Sequence, residues 1–460
     1  MNELNVCLIN DSFPPAIDGV ANAVTNYARI ISQRHGRATV VTPFYPDADD
    51  TQFPFPVVRY PSVDMTKQIG YRAGIPFAPE LIMNLEQQGY SIIHSHCPVT
   101  STVFARELRE RIHVPIVFTY HTKFDIDIAN AVKSRLLQEE AARLLVQNIQ
   151  ACDEVWTVSR GAGANLESLG YEGAWQVMPN GVDLPRGRVP QAQIAAATAG
   201  YDLPEKVPVF LFVGRMMWYK GIRLILDALG QLARAGREFR MVFVGGGGDK
   251  EEIVSYSHSL DLDRRVFFVP PIHDREQLRA WYCRADLFLF PSTFDTNGLV
   301  VREAAACGLA SVLISGSCAA EDVLDGVNGF CIRESADDMA ALLAGLLGDR
   351  EKMQQVGQNA QDQLYLSWED AVGNACRRYG EVTENYARGL YPRRRDAFDE
   401  LYSAASPAID GATRRREQRQ AAYAQHLNTL TDLLTGLRND RTRLKRKLEA
   451  RLEDLEQKRL

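Results

Sequence analysis

Asp295 and Glu303 stand with seven residues between them in Phe290-Pro-Ser-Thr-Phe-Asp-Thr-Asn-Gly-Leu-Val-Val-Arg-Glu-Ala-Ala-Ala-Cys-Gly308. The stretch reads as a strand end, a loop and a small-residue helix, so Asp295 falls in the loop and Glu303 on the helix. A carboxylate in the loop can face sugar hydroxyls, while one on the helix can accept hydrogen bonds from a ribose. The amides around Asn297, Gly298 and Leu299 open that helix, where unpaired N–H groups and the helix dipole favour phosphate or sugar oxygens. Arg215 and Lys220 lie five residues apart in Phe212-Val-Gly-Arg-Met-Met-Trp-Tyr-Lys-Gly221. Held between a strand and a helix, two fixed cations can neutralise a leaving diphosphate without a metal ion. The same pair also suits a solvated surface. In the turn from Asn10 to Val20, Gly19 either lets backbone approach a diphosphate or belongs to an ordinary βα loop.

Other conspicuous residues point elsewhere. Gly245-Gly-Gly-Gly-Asp249 ends a strand but lacks the GxGxxG spacing with an acidic residue on the next strand, which argues against a nicotinamide cofactor. His94, Ser95, His96 and Cys97 lack ligands at a second spacing, so they read as structural and no metal site is assigned. Cys307, among alanines, reads as a packing residue rather than a nucleophile.

These residues need strand ends to hold them. Short β-branched runs alternate with helical patterns: Val6 to Ile9, Ala38 to Thr42, Ile92 to Ser95, Ile116 to Tyr120 and Val155 to Val158. The cycle resumes with 208–214, 241–245, 266–269, 287–291 and 311–314. Such alternation predicts βαβ units and two parallel sheets. The expected organisation is an N-terminal domain over 1–185, a linker at 186–204 with an alanine-rich stretch of unclear purpose, and a C-terminal domain over 205–366. A helix at 367–391 returns to the first domain, and a basic helical tail occupies 392–460. In that tail Leu430, Leu434, Leu437, Leu444, Leu448 and Leu455 fit heptad positions broken by Arg441 and Arg451.

With 460 residues, two compact domains plus an appendage is the default expectation. A hydrophobic share of 46%, a charged share of 24% and a net charge of -6 describe a globular protein with no chain-wide nucleic-acid role. The eight cysteines are scattered without a CxxC pair, as free thiols in a reducing compartment would be. Neither a signal peptide nor a run of apolar residues long enough to span a bilayer is visible, so a cytoplasmic protein is expected.

The layout resembles the retaining glycosyltransferases of family four, which have the GT-B fold, and most closely their diacylglycerol glucosyltransferase branch. The resemblance covers about residues 4 to 388 and rests first on the acidic pair with its small-residue helix and Gly308. Gly19-Val20, His94-Ser-His96, Tyr120-His-Thr122 with Asp125 or Asp127, Pro179-Asn-Gly-Val-Asp183, Gly214-Arg215, Lys220-Gly221 and Asp325-Gly-Val-Asn-Gly329 support it. It implies an α/β chain of two Rossmann-like domains facing a cleft, with a helical C-terminal appendage. By resemblance, Arg215 and Lys220 bind the diphosphate, Glu303 the ribose, Asn297, Gly298 and Leu299 the phosphate and sugar, and Asp295 the sugar hydroxyls. His121 faces the reacting sugar and acceptor. The chain departs from the family at Asp295, where Glu is common, and at Asp18, where a second glycine is frequent; the first departure bears on donor-sugar preference.

The expected activity is therefore transfer of a hexose with retention, glucose from UDP-glucose being the favoured donor and diacylglycerol the favoured acceptor, with no cofactor. Apolar residues from Ile69 to Leu85 suit either a lipid-facing surface or core. A polysaccharide or polar small molecule is the alternative acceptor, and a catalytically weakened nucleotide-sugar sensor with a scaffold tail is a reading of another class. The tail supports either peripheral attachment to the inner face of the cell membrane or a homodimer, through clusters at Arg393-Arg-Arg395, Arg414-Arg-Arg416 and Arg438 to Lys447. Anionic headgroups attract such clusters by about 1 kcal/mol per cation, less with added salt. Deleting the residues after Pro392 is expected to reduce salt-sensitive sedimentation with anionic vesicles. Undiminished binding would reject the membrane role, and a drop in mass by light scattering would support the dimer.

Overall fold

A computed structural model describes residues 3–392 except 17, 67–71, 77, 126–127 and 129–132. Beyond 392 it describes 399–400, 402–404, 406–407, 410–415, 418–419 and 425. The chain forms two compact units: residues 1–78 with 86–394, and residues 79–85 with 395–460. In the second unit the described tail residues are helical. The heptad leucines from Leu430 onward, and the basic clusters apart from Arg414 and Arg415, lie outside the described residues.

The first unit is built on two parallel sheets. One runs in the order β3-β2-β1-β6-β7-β8-β9: β1 (Leu4–Ile9), β2 (Gly36–Pro43), β3 (Val57–Tyr60), β6 (Ile92–Ser95), β7 (Ile116–Tyr120), β8 (Glu154–Thr157) and β9 (Gln176–Val177). Two short antiparallel strands, β4 (Ser62–Asp64) and β5 (Arg72–Gly74), stand apart from it. The other sheet runs β12-β11-β10-β13-β14-β15: β10 (Val209–Val213), β11 (Arg240–Val244), β12 (Val266–Val269), β13 (Leu287–Phe290), β14 (Ser311–Ile314) and β15 (Phe330–Ile332). All pairings within both sheets are parallel. This is the expected α/β architecture of two Rossmann-like domains.

The sequence reason is visible in β10, where Val-Phe-Leu-Phe-Val is buried at every position. A parallel strand covered by helices on both faces takes a continuous apolar run rather than alternation. The helices are amphipathic instead. In α1 (Gly19–Arg34) the buried residues Ala21, Val24, Tyr27, Ala28 and Ile31 recur at helical spacing. Strand order reverses between β1 and β6 and again between β10 and β13. Adjacent connections leave there in opposite directions and open a crevice beyond the carboxyl ends.

Two short segments cross between the halves, and they pair with each other. Val182 bridges to Ser367, and its N–H donates to Leu366 O at 3.0 Å. The stretch expected as a linker packs on the second half through Val189 and Ile194, which are buried in that core. Ile194 is the buried residue of α4 (Gln191–Ala197), the helix that the alanine-rich segment forms, while Ala192, Ala195 and Ala196 are exposed. The terminal helix α9 (Trp368–Ala387) begins at Ser367, whose hydroxyl accepts from Asp370 N–H. It buries Trp368, Ala371, Val372, Ala375, Tyr379 and Val382 in the core of the first half.

Trp368 is 2% exposed and packs edge-on against Tyr27 with ring centroids 6.3 Å apart. Truncating so large a buried side chain removes its contacts and leaves a cavity, at a cost of about 3–5 kcal/mol. Trp368→Ala is therefore expected to lower the urea midpoint sharply, whereas the exposed Leu390→Ala should leave it nearly unchanged.

Candidate functional site

The residues singled out in the sequence follow the carboxyl ends of β1, β6, β7, β10 and β13 along the chain, Glu303 on the helix after β13. Past β10, Gly214 and Arg215 begin a loop that leads to Lys220 and α5 (Ile222–Arg234). Gly221 has φ of +77°, and a Cβ there would sit 2.3 Å from Pro291 O, so only glycine lets this turn lie against the end of β13. That contact brings Lys220 to the Asp295 loop. Lys220 Nζ lies 2.7 and 2.8 Å from the two carboxylate oxygens of Asp295, and Ser292 Oγ donates to Asp295 Oδ2 at 2.6 Å. Lys220 is buried and borders the rings of Tyr219, Phe290 and Phe294. Its charge is thus already balanced by Asp295. Arg215 is exposed, and no described side chain pairs with it. The two cations expected to act together are unlike: Lys220 is buried and paired, and Arg215 is exposed.

Thr296 ties this loop to the other sheet. Its hydroxyl donates to the backbone O of His121 at 2.9 Å, and its own carbonyl accepts from Ser159 Oγ at 2.5 Å. His121 stands just past β7, with Nε2 3.0 Å from His96 Nδ1. The His94 and His96 rings lie 3.9 Å apart, and His94 is held by Tyr379 O–H at 2.5 Å and Thr119 Oγ1 at 2.7 Å. Burial holds His121 far below the usual imidazole range, at about 3, and also depresses His94 and His96. All three rings are neutral at physiological pH.

Gly298 caps α7 (Leu299–Ala306) with φ of +57°, and a Cβ there would approach Ala319 to 3.1 Å. Leu299 is the first helical residue, and helix amides at that position have no intrahelical acceptor. Asn297 Nδ2 is buried beside them with no protein partner. Buried polar atoms are nearly always paired, so this donor is suited to a ligand oxygen. Glu303, further along α7, is buried. Its Oε1 lies 3.2 Å from Arg275 Nη1 and its Oε2 accepts from Tyr282 O–H at 2.9 Å. Both partners lie on α6 (Arg275–Arg284).

Gly19 opens α1 with no atom within 4 Å of where a side chain would start, which leaves room for a ligand. Asp18 uses its carboxylate to accept from Val20 N–H and Ala21 N–H at 2.8 and 2.7 Å. An anion approaching here meets a negative cap and amides already taken. Of the segment from Ile69 to Leu85, Ile82 and Leu85 are buried and Ile75 is exposed, while 69–71 and 77 lie outside the described residues, as does Asp127. Among the described residues no group of three or more His, Cys, Asp or Glu is placed to hold a metal ion. None of their helices is long and apolar enough to cross a membrane.

Sequence reasoning missed Arg275, Tyr282, Ser292 and the part played by His96. Arg275 and Tyr282 are seven residues apart, hence on one face of a helix, but that face becomes informative only once Glu303 lies opposite it.

Residues 17–186 match the model of Glycosyltransferase Family 4, and residues 195–363 match that of Glycosyl transferases group 1. Over 308 residues the chain is 28% identical to a D-inositol 3-phosphate glycosyltransferase of Nocardia farcinica, covering 62% of this chain but 65% of that protein. An alpha-monoglucosyldiacylglycerol synthase of Streptococcus pneumoniae is 21% identical over 66% of this chain and 70% of its own length. The solved structure of HepE from Anabaena in complex with UDP and glucose is similar with a TM-score of 0.59 and 21% identity, over 84% of this chain and 99% of that one. The two matched regions fall on the two sheets whose strand ends meet at Thr296 and His121, and the chain belongs to the GT-B glycosyltransferases.

Proposed function

We propose that this chain is a retaining hexosyltransferase that moves glucose from UDP-glucose to a lipid acceptor such as diacylglycerol, without a metal ion. The observation that carries the reading is the hydrogen bond from Thr296 to His121, which sets a neutral imidazole of one half beside the carboxylate loop of the other. In this reading the second half binds the donor and the first half the acceptor. The bond between sugar C1 and the β-phosphate oxygen breaks, the acceptor oxygen joins C1 on the same face, and its proton passes to the departing phosphate oxygen. Arg215 meets the charge that grows on that phosphate, helped by Asn297 and the amides of Gly298 and Leu299. Lys220, its charge balanced by Asp295, orients that carboxylate toward sugar hydroxyls and keeps a third N–H for a diphosphate oxygen, Glu303 accepts from the ribose, and Gly19 leaves room for the donor. His121 uses Nε2 on His96, leaving Nδ1 for the substrate.

The UDP and glucose bound in the HepE structure support the donor, and the diacylglycerol product in the name of the Streptococcus relative supports the acceptor and a cytoplasmic enzyme peripheral to the inner face of the membrane. The Nocardia relative, at higher identity, is named for inositol 3-phosphate, which favours a polar acceptor as the second reading. Incubating the pure protein with labelled UDP-glucose and either a membrane lipid extract or inositol phosphates separates them. Label entering only the water-soluble product would overturn the lipid acceptor.

Arg215→Ala is expected to lower turnover about 100-fold, the typical loss for one donor that meets developing charge. Glu303→Ala should weaken UDP and leave turnover at saturation largely intact, because ribose contacts are the same before and during reaction. Asp295→Asn should damage sugar transfer with UDP affinity nearly kept, and calorimetry beside steady-state rates would expose the opposite pattern.

A neutral His121 makes a further statement about pH. Its folded pKa lies below the ordinary value of about 6.5, so the ring stays uncharged as pH falls through that range. Turnover should show no acid limb near 6.5 from this residue, and His121→Ala should reduce turnover far more than UDP affinity. An acid limb in the native protein that disappears in His121→Ala would refute the neutral role.

A further inference from the structure

Glu303 is a buried carboxylate, and one guanidinium faces it. Arg275 Nη1 lies 3.2 Å from Glu303 Oε1, while Arg275 Nη2 donates to Asp183 Oδ2 at 3.0 Å. Asp183 sits where the chain crosses between the halves, and it accepts from Asn22 and Asn26 of α1 at 3.2 Å each. A single cation is therefore shared by two acids from different segments, and the far acid is anchored to the first half. Arg275 is half-exposed, but the Glu303 side chain that it meets is buried. A buried carboxylate without a partner takes up a proton rather than stay charged. Protonated, Glu303 would lose acceptor capacity for ribose hydroxyls.

We propose that Arg275 is a positioning residue for the nucleotide: it keeps the Glu303 carboxylate ionised and aimed, and Asp183 with Asn22 and Asn26 holds the guanidinium in place. The inference rests on the reading of Glu303 as the ribose-binding acid. The groups that face Glu303 are Arg275 and Tyr282 from α6 and Asp183 from the crossing segment. Burial raises the Glu303 carboxyl most, Asp183 adds to the rise, and Arg275 and the Tyr282 hydroxyl oppose it. Tyr282 is itself pushed up by burial and by Glu303, so it remains a neutral donor. Of the opposing groups only Arg275 is charged.

The sign of the effect follows. With Arg275 removed, the carboxyl rises further, so the ionised form is lost at a higher pH than in the native protein and is regained as pH rises. UDP affinity, measured by calorimetry on the full chain between pH 6.5 and 8.5, tests this when each variant is divided by the native protein, which cancels the titration of UDP itself. For Arg275→Ala the deficit should be about tenfold or more at pH 6.5 and narrow severalfold by pH 8.5, since each unit of pH below a carboxyl pKa costs about tenfold in ionised form. Arg275→Lys restores a charge without the fork and should recover most of the affinity. Glu303→Gln should bind UDP weakly with a deficit independent of pH. A pH-independent deficit in Arg275→Ala beside an impaired Glu303→Gln overturns the positioning role and leaves the ribose reading intact. Native affinity in Glu303→Gln overturns the ribose reading, and this inference with it.

Discussion

A parallel strand covered by helices on both faces has no place for a charged side chain except at its ends. That constraint governs this protein twice. Val209 to Val213 and Leu287 to Phe290 are buried throughout, and the first residues able to carry charge or bend sharply follow them: Gly214-Arg215 and Ser292 to Asp295. In the first half, His96 follows β6 and His121 follows β7 by the same logic. Because order reverses next to β1 and next to β10, helices leave the crevice on both sides and backbone amides point into it.

The two halves are joined by pieces of chain that belong to both. Segments 182 and 366–367 pair where they cross, and α9 then lays Tyr379 into the core of the first half. From Tyr379 the contact runs through His94 to the face of His96, and from His96 to His121. Desolvation keeps these imidazoles neutral, so they pack as aromatic rings with directional hydrogen bonds instead of repelling one another. On the other side of the crevice, Thr296 fixes both the height of the Asp295 loop and its distance from His121.

Charge is distributed unevenly in the crevice. Lys220 and Asp295 cancel, which gives the buried Lys220 cation the partner without which it would be costly. Arg215 is exposed and has no described side-chain partner, which suits it to meeting a diphosphate. Asp18 adds a negative cap at α1, where a glycine would have left the amides free. Opposite it, Arg275 spans Glu303 and Asp183 and so places a cation among the acids.

Local pattern was enough to locate the strands of both sheets that carry the site, because their buried apolar runs differ from everything around them; β3, β9 and β15, short and at or near sheet edges, gave no such signal. The motif spacing likewise located Arg215, Lys220, Asp295 and Glu303 at strand ends and on a helix. Sequence could not show that Lys220 is consumed by Asp295, since that pairing depends on Gly221 packing against Pro291. Nor could it show Arg275 opposite Glu303, or His94 and His96 as the support of His121, because each contact joins elements whose separation in the chain carries no periodic mark. Residue type and spacing determined which groups can do chemistry and which strand end holds them. Packing between sheets and helices decided which charges remain free, because a charge is neutralised or exposed only by what the folded chain brings beside it.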